Sequence, residues 1–216
     1  LFRSHTCEKY NLTGKVTHPH FTEMTVFRPF FFDLKHHLAY CPVYKAASTT
    51  WLRMMIGITG SEDTQEKLIA VKARFLFPPI IARKAALAFD DSISFMVVRN
   101  PFERLLSAYR DKLETGDKYF YHQAYAKKIV SEYRKANSST GEDSSTPTFL
   151  EFLKYLLNRT TYDDHWIPYW MYCSPCHHSF SVICKTETLR RDLKYVLARA
   201  RLMKFYPEID VWWNKN

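Results

Sequence analysis

One segment of the sequence indicates both a strand and the helix after it: Ile93-Ser-Phe-Met-Val-Val-Arg99-Asn-Pro-Phe-Glu-Arg-Leu-Leu-Ser107-Ala-Tyr-Arg-Asp-Lys-Leu113. Its first part, Ile93 to Val98, is a short apolar run of β-favouring residues, which predicts a buried strand. Asn100 then supplies a helix N-cap, and Pro101 takes the first helical position, where its missing N–H costs nothing. Apolar residues follow at helical spacing, so we expect one face of this helix to pack on a sheet. They are Phe102, Leu105, Leu106, Tyr109 and Leu113.

Arg99 stands where this strand ends and the helix begins. In open α/β sheets, ligands that carry phosphate bind at the carboxyl ends of the strands. Ser107 lies on the second turn of the helix, where we expect it to share one anion with Arg99. The two residues therefore predict an anion site at this edge of the sheet.

With 216 residues, the chain is long enough to bury a core as one domain, or as one domain with a small appendage. Its formal net charge of +9 favours an anionic partner, such as a nucleotide, a nucleic acid, an acidic glycan or a membrane surface. Its apolar runs are far shorter than the ~18 residues of a membrane span. The chain begins at Leu1 with neither an initiator methionine nor a signal-like segment, which we interpret as an excised domain.

The cysteines and the glycosylation sequons favour a secretory lumen. Five cysteines are an odd number, so at least one is free or pairs outside the chain. Sequons begin at Asn11, Asn137 and Asn158.

Cys173 and Cys176, with two histidines directly after them, form the one cysteine–histidine cluster of the sequence. A structural zinc site usually draws its ligands from two separated pairs, and the chain has only one such pair. We therefore expect no metal and a disulfide instead, either within the pair or from one member to another cysteine. The possible partners are Cys7, Cys41 and Cys184.

We expect residues 1–33 to form an irregular N-terminal arm packed on one domain, residues 34–216. The arm shows weak periodicity. Leu38 to Val43 looks like the first strand, and Pro42 inside it predicts either an edge strand or an early end.

This first strand leads into Lys45 and a run of small and hydroxyl-bearing residues, and a helix follows that is expected to end near Gly57 or Gly60. A strand, a tight loop and a helix N-terminus form the layout of a phosphate cradle, in which backbone N–H groups surround an oxyanion. It is not a Walker loop, because Gly-x-x-x-x-Gly-Lys-[Ser/Thr] is absent. The alternative is an ordinary helix start with a surface lysine. The predicted anion-binding residues are Lys45, Ala46, Ala47, Ser48, Thr49, Thr50 and Trp51.

Further helices are predicted from periodicity and capping. They run from Ser61 to Ala88 with a break at Pro78-Pro79, from Tyr119 to Ala136, from a capping box at Thr148 to Asn158, and from Leu189 to Leu202. The polar segment from Asn137 to Thr146 is predicted to be a mobile loop. The basic residues of the last helix are typical of a solvated face, and they also suit a groove for an acidic polymer.

Three blocks in this order carry a resemblance to a known family. The first is Tyr40-Cys-Pro-Val-Tyr-Lys-Ala-Ala-Ser-Thr-Thr-Trp51, and the second is Phe95-Met-Val-Val-Arg-Asn-Pro-Phe-Glu-Arg-Leu-Leu-Ser-Ala-Tyr109. The third joins His165-Trp-x-Pro, Cys-x-Pro-Cys and Lys185-Thr-Glu-Thr-Leu. The set resembles the Golgi carbohydrate sulfotransferases that sulfate chondroitin, dermatan and terminal N-acetylgalactosamine, and it spans about residues 38–197.

The resemblance implies an α/β, P-loop-like sulfotransferase fold with a central, mainly parallel sheet flanked by helices. It implies transfer of a sulfuryl group from 3′-phosphoadenosine 5′-phosphosulfate (PAPS) to a hydroxyl of an acidic or neutral glycan, such as a glycosaminoglycan. It implies no metal and no nucleic acid. It also implies a type II membrane protein of the Golgi lumen, whose membrane anchor is absent from this chain.

The resemblance further implies roles for residues that the sequence pattern had already placed at anion sites. The Lys45 loop resembles the cradle of the 5′-phosphosulfate, and Arg99 with Ser107 resembles the clamp on the 3′-phosphate. In-line transfer leaves negative charge on the departing oxygen, so Lys45 is expected to be catalytic as well.

The acceptor hydroxyl needs a base, and His165 is our candidate because Asp163 and Asp164 stand beside it to orient it. The alternative is that His165 merely packs beside Trp166. The second choice for the base is the pair Asp90 and Asp91, just before the Ile93 strand.

Two other classes of function stay open. One is a catalytically inactive relative that binds acidic glycan. The other is a nucleic-acid-binding or nucleotide-kinase-like module, against which the missing Walker loop and the lack of a nucleic-acid motif weigh.

Overall fold

The structure is a computed structural model that describes residues 2–16, 20–61, 68–115, 119–134, 145–158 and 163–206. It forms two compact units, one made of Leu1–Arg99 with Pro168–Asn216 and the other of Asn100–Ile167. The sequon at Asn137 and most of the predicted polar loop around it lie outside the described residues. None of the helices in the described ranges combines the length and the apolar character needed to cross a bilayer.

The strands and helices of the described residues have the following bounds. The strands are β1 (Phe31–Asp33), β2 (Leu38–Cys41), β3 (Ile93–Val98) and β4 (Val182–Lys185). The helices are α1 (Phe2–Lys9), α2 (Ser48–Ile58), α3 (Ile69–Leu76), α4 (Ala82–Asp90), α5 (Pro101–Tyr109), α6 (Tyr119–Tyr121), α7 (Lys127–Tyr133), α8 (Phe149–Leu157), α9 (Tyr169–Tyr172) and α10 (Leu189–Arg199).

The first unit contains a four-stranded sheet in the order β1-β2-β3-β4. β1 is antiparallel to β2, whereas β2, β3 and β4 are parallel, with Tyr40 opposite Phe95 and Val98 opposite Lys185. The predicted α/β class with a mainly parallel sheet is therefore confirmed. Because parallel strands end at the same edge, the segments after β2, β3 and β4 all leave the sheet on one side.

The predicted strand from Ile93 to Val98 is confirmed as β3. β2 ends at Cys41, before Pro42, so the early end is confirmed. The edge alternative is wrong, because β2 lies between β1 and β3.

The N-terminal arm is more regular than expected. Within residues 1–33 the chain forms α1 and β1, and Phe31 pairs with Tyr40 in the sheet. All three residues of β1 are buried. The strand therefore lacks the alternation of polar and apolar residues from which a half-buried strand is recognised in a sequence. The domain boundary at residue 33 stays a prediction, since both sides of it lie in the first unit.

In the second unit, α5 begins as the sequence predicts. The Asn100 side chain accepts hydrogen bonds from the backbone N–H groups of Phe102 and Glu103, at 3.0 and 3.3 Å, and Pro101 follows at the first helical position. The prediction that Phe102 belongs to the buried apolar face of α5 is wrong, because its side chain is 80% exposed. The buried face passes through Arg104 instead, because its guanidinium donates to the Ile167 carbonyl at 2.7 Å.

The core of the second unit is aromatic, and α5 packs into it. Its buried residues are Ala108, Tyr109, Leu113, Ala126, Ile129, Phe152, Tyr155 and Trp166. The helical run predicted from Tyr119 ends at Tyr133 and includes a wider, π-helical turn between α6 and α7.

The predicted capping box at the start of α8 is confirmed and belongs to a larger ion-pair network. Thr148 Oγ1 accepts from the Glu151 N–H at 3.2 Å, and Glu151 Oε2 accepts from the Thr148 N–H at 2.7 Å. Arg134 donates to both oxygens of Glu151, each at 3.0 Å. Burial alone would raise the pKa of Glu151, but the hydrogen bonds from Arg134 and Thr148 outweigh it and lower the pKa.

We expect Glu151→Gln to lower the free energy of unfolding at pH 7 by about 2 kcal/mol, the usual scale for charged hydrogen bonds. Because folding lowers the pKa of Glu151, its contribution is present above the unfolded value of about 4.3 and is lost as pH falls through the folded value. Urea unfolding should therefore show a large difference between wild type and variant at pH 7 and a small one in acid.

The matched control is Glu114→Gln, since Glu114 pairs with Arg110 only at 3.9 Å on an exposed surface. Its expected cost is under about 0.5 kcal/mol. An equal cost for the two variants would contradict the assignment of the ion-pair network to Glu151.

Candidate functional site

The segments after β2 and β3 meet at the carboxyl edge of the sheet in the first unit. Lys45 lies in the loop that follows β2, and Arg99 is the first residue after β3. The Nη1 group of Arg99 donates to the backbone carbonyl of Lys45 at 3.3 Å. The two cationic residues that the sequence placed at separate anion sites therefore lie on one edge and in direct contact.

The Lys45 loop has a left-handed backbone at two residues that are not glycine. Lys45 has a φ of 66°, and Ala47, directly before α2, has a φ of 60°. Each such residue costs roughly 1–2 kcal/mol relative to right-handed backbone. Ala47 offers no side chain to cap α2, so the N–H groups of its first turn point out of the helix without a side-chain cap. Strained backbone with outward N–H groups is the geometry of an anion cradle.

Trp51 fixes the start of α2 on the sheet. Its side chain is 1% exposed, and its ring lies 4.3 Å from that of Phe95 on β3 and 6.0 Å from that of Tyr40 on β2. The packing of the Trp51 side chain against the sheet therefore holds the Lys45 loop in place. Ser48 is buried at the first position of α2, whereas Thr49 and Thr50 are partly exposed.

A disulfide joins the end of β2 to the third sequence block. Cys41 bonds Cys173, with their Cα atoms 6.0 Å apart, and Cys7 bonds Cys176. The alternative of a bridge within the Cys173–Cys176 pair is wrong, and both sulfurs that a zinc site would need are used in disulfides. Cys184 is the free cysteine of the described residues, and burial raises its pKa to about 12.

The other two predicted site residues, Ser107 and His165, lie in the second unit. Ser107 is half-buried on α5. Its sharing of an anion with Arg99, a residue of the first unit, stays a prediction.

His165 takes part in a hydrogen-bonded cluster in the second unit. Its Nδ1 lies 2.7 Å from Asp163 Oδ1 and 2.9 Å from the Tyr121 hydroxyl, and its backbone N–H donates to the same Asp163 oxygen at 2.9 Å. Burial alone would raise the pKa of Asp163, but the bonds from His165 outweigh it and lower the pKa. Asp163 is thus an anion that orients the imidazole through its Nδ1 side.

Tyr121 is the member of this cluster that the sequence did not indicate. It lies 44 residues before His165, and no local pattern joins the two. Burial and the neighbouring Asp163 carboxylate raise the pKa of its hydroxyl far above the ordinary value, so it stays a donor. Asp164, the other acidic neighbour of His165, accepts a hydrogen bond from the Arg104 guanidinium at its backbone carbonyl, at 3.3 Å.

The second choice for the base, Asp90 and Asp91, lies at the wrong end of β3. Both residues precede this six-residue strand, whereas Arg99 follows it, which separates them by roughly 20 Å. Asp91 bonds the His37 ring at 2.8 Å at that amino end. The structure therefore contradicts a role for this pair at the Lys45–Arg99 edge.

The chain is similar to known proteins over most of its length. Residues 28–215 match the profile of the sulfotransferase family. The chain is 31% identical to carbohydrate sulfotransferase 11 of Rattus norvegicus over 186 residues, which cover 78% of this chain and 51% of that protein. It is 30% identical to carbohydrate sulfotransferase 14 of Danio rerio over 190 residues, 83% of this chain and 50% of the relative.

A third relative is carbohydrate sulfotransferase 8 of Homo sapiens, with 29% identity over 208 residues, 90% of this chain and 47% of the relative. The chain spans about half the length of these curated relatives. No solved structure gives a significant match.

Proposed function

Since this chain belongs to the sulfotransferase family, we propose that it transfers a sulfuryl group from PAPS to a sugar hydroxyl of a glycan. The observation that carries the proposal is the contact of Arg99 with the Lys45 loop at the carboxyl edge of the sheet. A donor with a 5′-phosphosulfate and a 3′-phosphate needs a cationic group for each of its two anionic ends, and both groups must lie within the span of one nucleotide. The acceptor is proposed to be a glycan because relatives are named carbohydrate sulfotransferases. The resemblance of the three sequence blocks is the reason to propose a chondroitin- or dermatan-type chain, or another N-acetylgalactosamine-containing glycan.

The Lys45 loop is proposed to hold the 5′-phosphosulfate. The bond from sulfur to the bridging oxygen breaks, a bond from sulfur to the acceptor oxygen forms, and the spent nucleotide, 3′-phosphoadenosine 5′-phosphate, leaves. Negative charge grows on the bridging oxygen during this step. Lys45 and the N–H groups at the start of α2 therefore stabilise the transition state more than the ground state.

The proposed loop contacts are shared among backbone and side-chain groups. Ala47 contributes its backbone N–H group, and Ser48, Thr49 and Thr50 add hydroxyl donors. The Ala46 N–H donates to the Val43 carbonyl at 3.1 Å, so Ala46 is proposed to shape the turn of the loop around the anion. Trp51 acts by holding these residues against Phe95. Arg99 is proposed to bind the 3′-phosphate together with Ser107.

His165 is proposed to accept the proton of the sugar hydroxyl as sulfur–oxygen bond formation proceeds. Asp163 bonds its Nδ1, and the proton is proposed to go to Nε2, the other ring nitrogen. A proton from the hydroxyl then goes to His165, and Asp163 stabilises the imidazolium that forms.

The proposed compartment is the Golgi lumen, with the protein held in the membrane by a segment outside this chain. Two disulfides join cysteines 169 and 132 residues apart in sequence. Such long-range bridges form and persist in oxidising compartments.

The direct test is transfer of labelled sulfate from PAPS to chondroitin, to dermatan and to a neutral N-acetylgalactosamine oligosaccharide. We expect incorporation into at least one of them, with release of an equal amount of the spent nucleotide. Glycan binding without incorporation would instead support the inactive relative.

A further inference from the structure

Residues 68–89, which form α3, α4 and the connection between them, contain no acidic residue. They include four cations, Lys72, Arg74, Arg83 and Lys84. Arg74 is turned inward, because its guanidinium donates to the two backbone carbonyls directly before β1, at 2.8 and 3.1 Å. Arg83 and Lys84 are exposed on α4. The surface of this segment is therefore basic, with no carboxylate of its own to offset the charge.

The helix α3 has two apolar faces, and only one of them is used by the core. Ile69 and Ala73 are buried, at 2% and 0% exposed. On the other side, Leu68, Val71 and Phe75 are 50%, 66% and 84% exposed. These three residues follow one another at intervals of three and four, so they form a single stripe along the helix. Large apolar side chains that are exposed as a group indicate a surface that binds a partner.

This stripe continues into an apolar cleft at the end of α3. The cleft has a volume of about 340 Å³. Its apolar walls are Phe32, Leu34, Leu76, Phe77, Pro78 and Ile80. Of these, Leu34 is itself 57% exposed, and Ile81, the next residue after the wall, is 67% exposed. The outer stripe of α3, Ile81 and the cleft are together called the α3 face.

The polar residues of the cleft leave a positive charge at its opening. Asp33 is buried, and both of its carboxylate oxygens are bonded to His36, one by the backbone N–H at 3.2 Å and one by the ring Nδ1 at 2.7 Å. Lys35, which also lines the cleft, is exposed. An apolar cavity with a cation at its rim suits a ligand that has an apolar chain and an anionic head.

The α3 face lies at the end of the sheet opposite to the candidate site. The turn after β1 leads into the amino end of β2, since Asp33 pairs with Leu38. The Lys45 loop follows the carboxyl end of the same strand. The four residues of β2 separate the two ends by roughly 13 Å. All of these residues belong to the first unit.

We propose that the α3 face binds the surface of a phospholipid membrane, with its apolar side chains in the acyl region and its cations at anionic headgroups. Exposed apolar residues beside lysine and arginine, with no carboxylate among them, are what a protein surface needs to lie in this interface. Contact at the amino end of β2 leaves the Lys45–Arg99 edge directed away from the lipid. The inference goes beyond the proposed function, and lipid binding is measured without turnover.

The test is binding to vesicles of phosphatidylcholine with about 30% phosphatidylserine, measured by flotation. We expect wild type to float with the vesicles. A variant with Val71→Ser, Phe75→Ser and Ile81→Ser should lower the partition coefficient by at least about 30-fold, because each side chain loses its transfer into the acyl region. The matched control is Phe102→Ser, Leu150→Ser and Leu157→Ser, three residues of the second unit that are 80%, 60% and 85% exposed, and it should partition as wild type does.

A charge variant separates the two parts of the interaction. Lys35→Gln, Arg83→Gln and Lys84→Gln together should weaken partition to the anionic vesicles by roughly 10- to 100-fold and leave partition to pure phosphatidylcholine unchanged. The matched control, Lys127→Gln, Lys128→Gln and Arg199→Gln, removes three exposed cations outside the α3 face and should change partition less than about twofold.

A fluorescent label reports directly which surface enters the lipid. Phe75→Cys introduces an exposed thiol for an environment-sensitive maleimide dye, whereas Cys184 is buried, at 0% exposed, and does not compete for the dye. We expect the emission of the label to shift to the blue on addition of vesicles. The same dye on Leu157→Cys should not shift.

The other outcomes overturn the proposal. Equal flotation of the wild type and the apolar variant would show that the α3 face does not contact lipid. If wild type does not float and instead forms a dimer that the apolar variant lacks, as measured by light scattering, the α3 face binds a second copy of the chain. Thermal unfolding of every variant is expected to match that of wild type, since the substituted side chains are exposed.

Discussion

Replacement of Lys45 by alanine is expected to lower kcat for sulfuryl transfer by roughly 10²- to 10³-fold, the usual effect of removing one donor from a site of developing negative charge. Lys45 has a left-handed backbone, with a φ of 66°, which alanine tolerates no better and no worse than lysine. The substitution therefore removes the ammonium group and leaves the backbone strain in place.

The measurement is steady-state transfer of labelled sulfate at saturating PAPS. Lys84→Ala, an exposed lysine on α4, serves as the control and should keep full activity. A Lys45→Ala enzyme with wild-type kcat would show that the charge on the departing oxygen is stabilised elsewhere.

His165→Ala is expected to reduce kcat by roughly 10²- to 10⁴-fold, the range typical of losing a general base. Binding of the spent nucleotide should stay within about twofold of wild type, because the nucleotide contacts proposed here lie on other residues. Single-turnover transfer to chondroitin and calorimetric nucleotide binding measure the two effects separately.

The alternative for His165, a packing role beside Trp166, makes a different prediction. It requires that His165→Ala lower the unfolding temperature and that activity fall only through loss of folded protein. His5→Ala, on the exposed side of α1, is the matched control for a histidine without either role. Normal kcat in a stable His165→Ala protein would exclude His165 as the base.

The parts of the fold that the sequence predicted depend on local interactions. β3 and the Asn100 cap follow from a short apolar run and from a side chain that bonds N–H groups two and three residues later. The Thr148 capping box is equally local. These features were found because the interacting groups are neighbours in sequence.

The parts that the sequence did not predict depend on contacts between distant residues. β1 is defined by its pairing with β2 and is buried throughout, so it has no two-residue period. The disulfide partners of Cys173 and Cys176 lie 132 and 169 residues away, which left several pairings open in the sequence.

The candidate site shows the same division. Strand, loop and helix order indicated Lys45 and Arg99 as anion-binding residues, and parallel strand topology explains why they lie on one edge. Phe102 looked apolar and periodic, yet it is exposed because the guanidinium of Arg104 takes the buried position in that turn. Tyr121 reaches His165 only through the tertiary fold.

Lys45 and Arg99 are proposed to bind opposite ends of one nucleotide, and calorimetric binding of two ligands measures this directly. These are 3′-phosphoadenosine 5′-phosphate and adenosine 5′-phosphate, which lacks the 3′-phosphate. We expect Arg99→Ala to weaken binding of the first ligand by about 2–4 kcal/mol and of the second by far less, and Lys45→Ala to weaken binding of both. Unchanged affinity of Arg99→Ala for 3′-phosphoadenosine 5′-phosphate would show that Arg99 does not bind the 3′-phosphate.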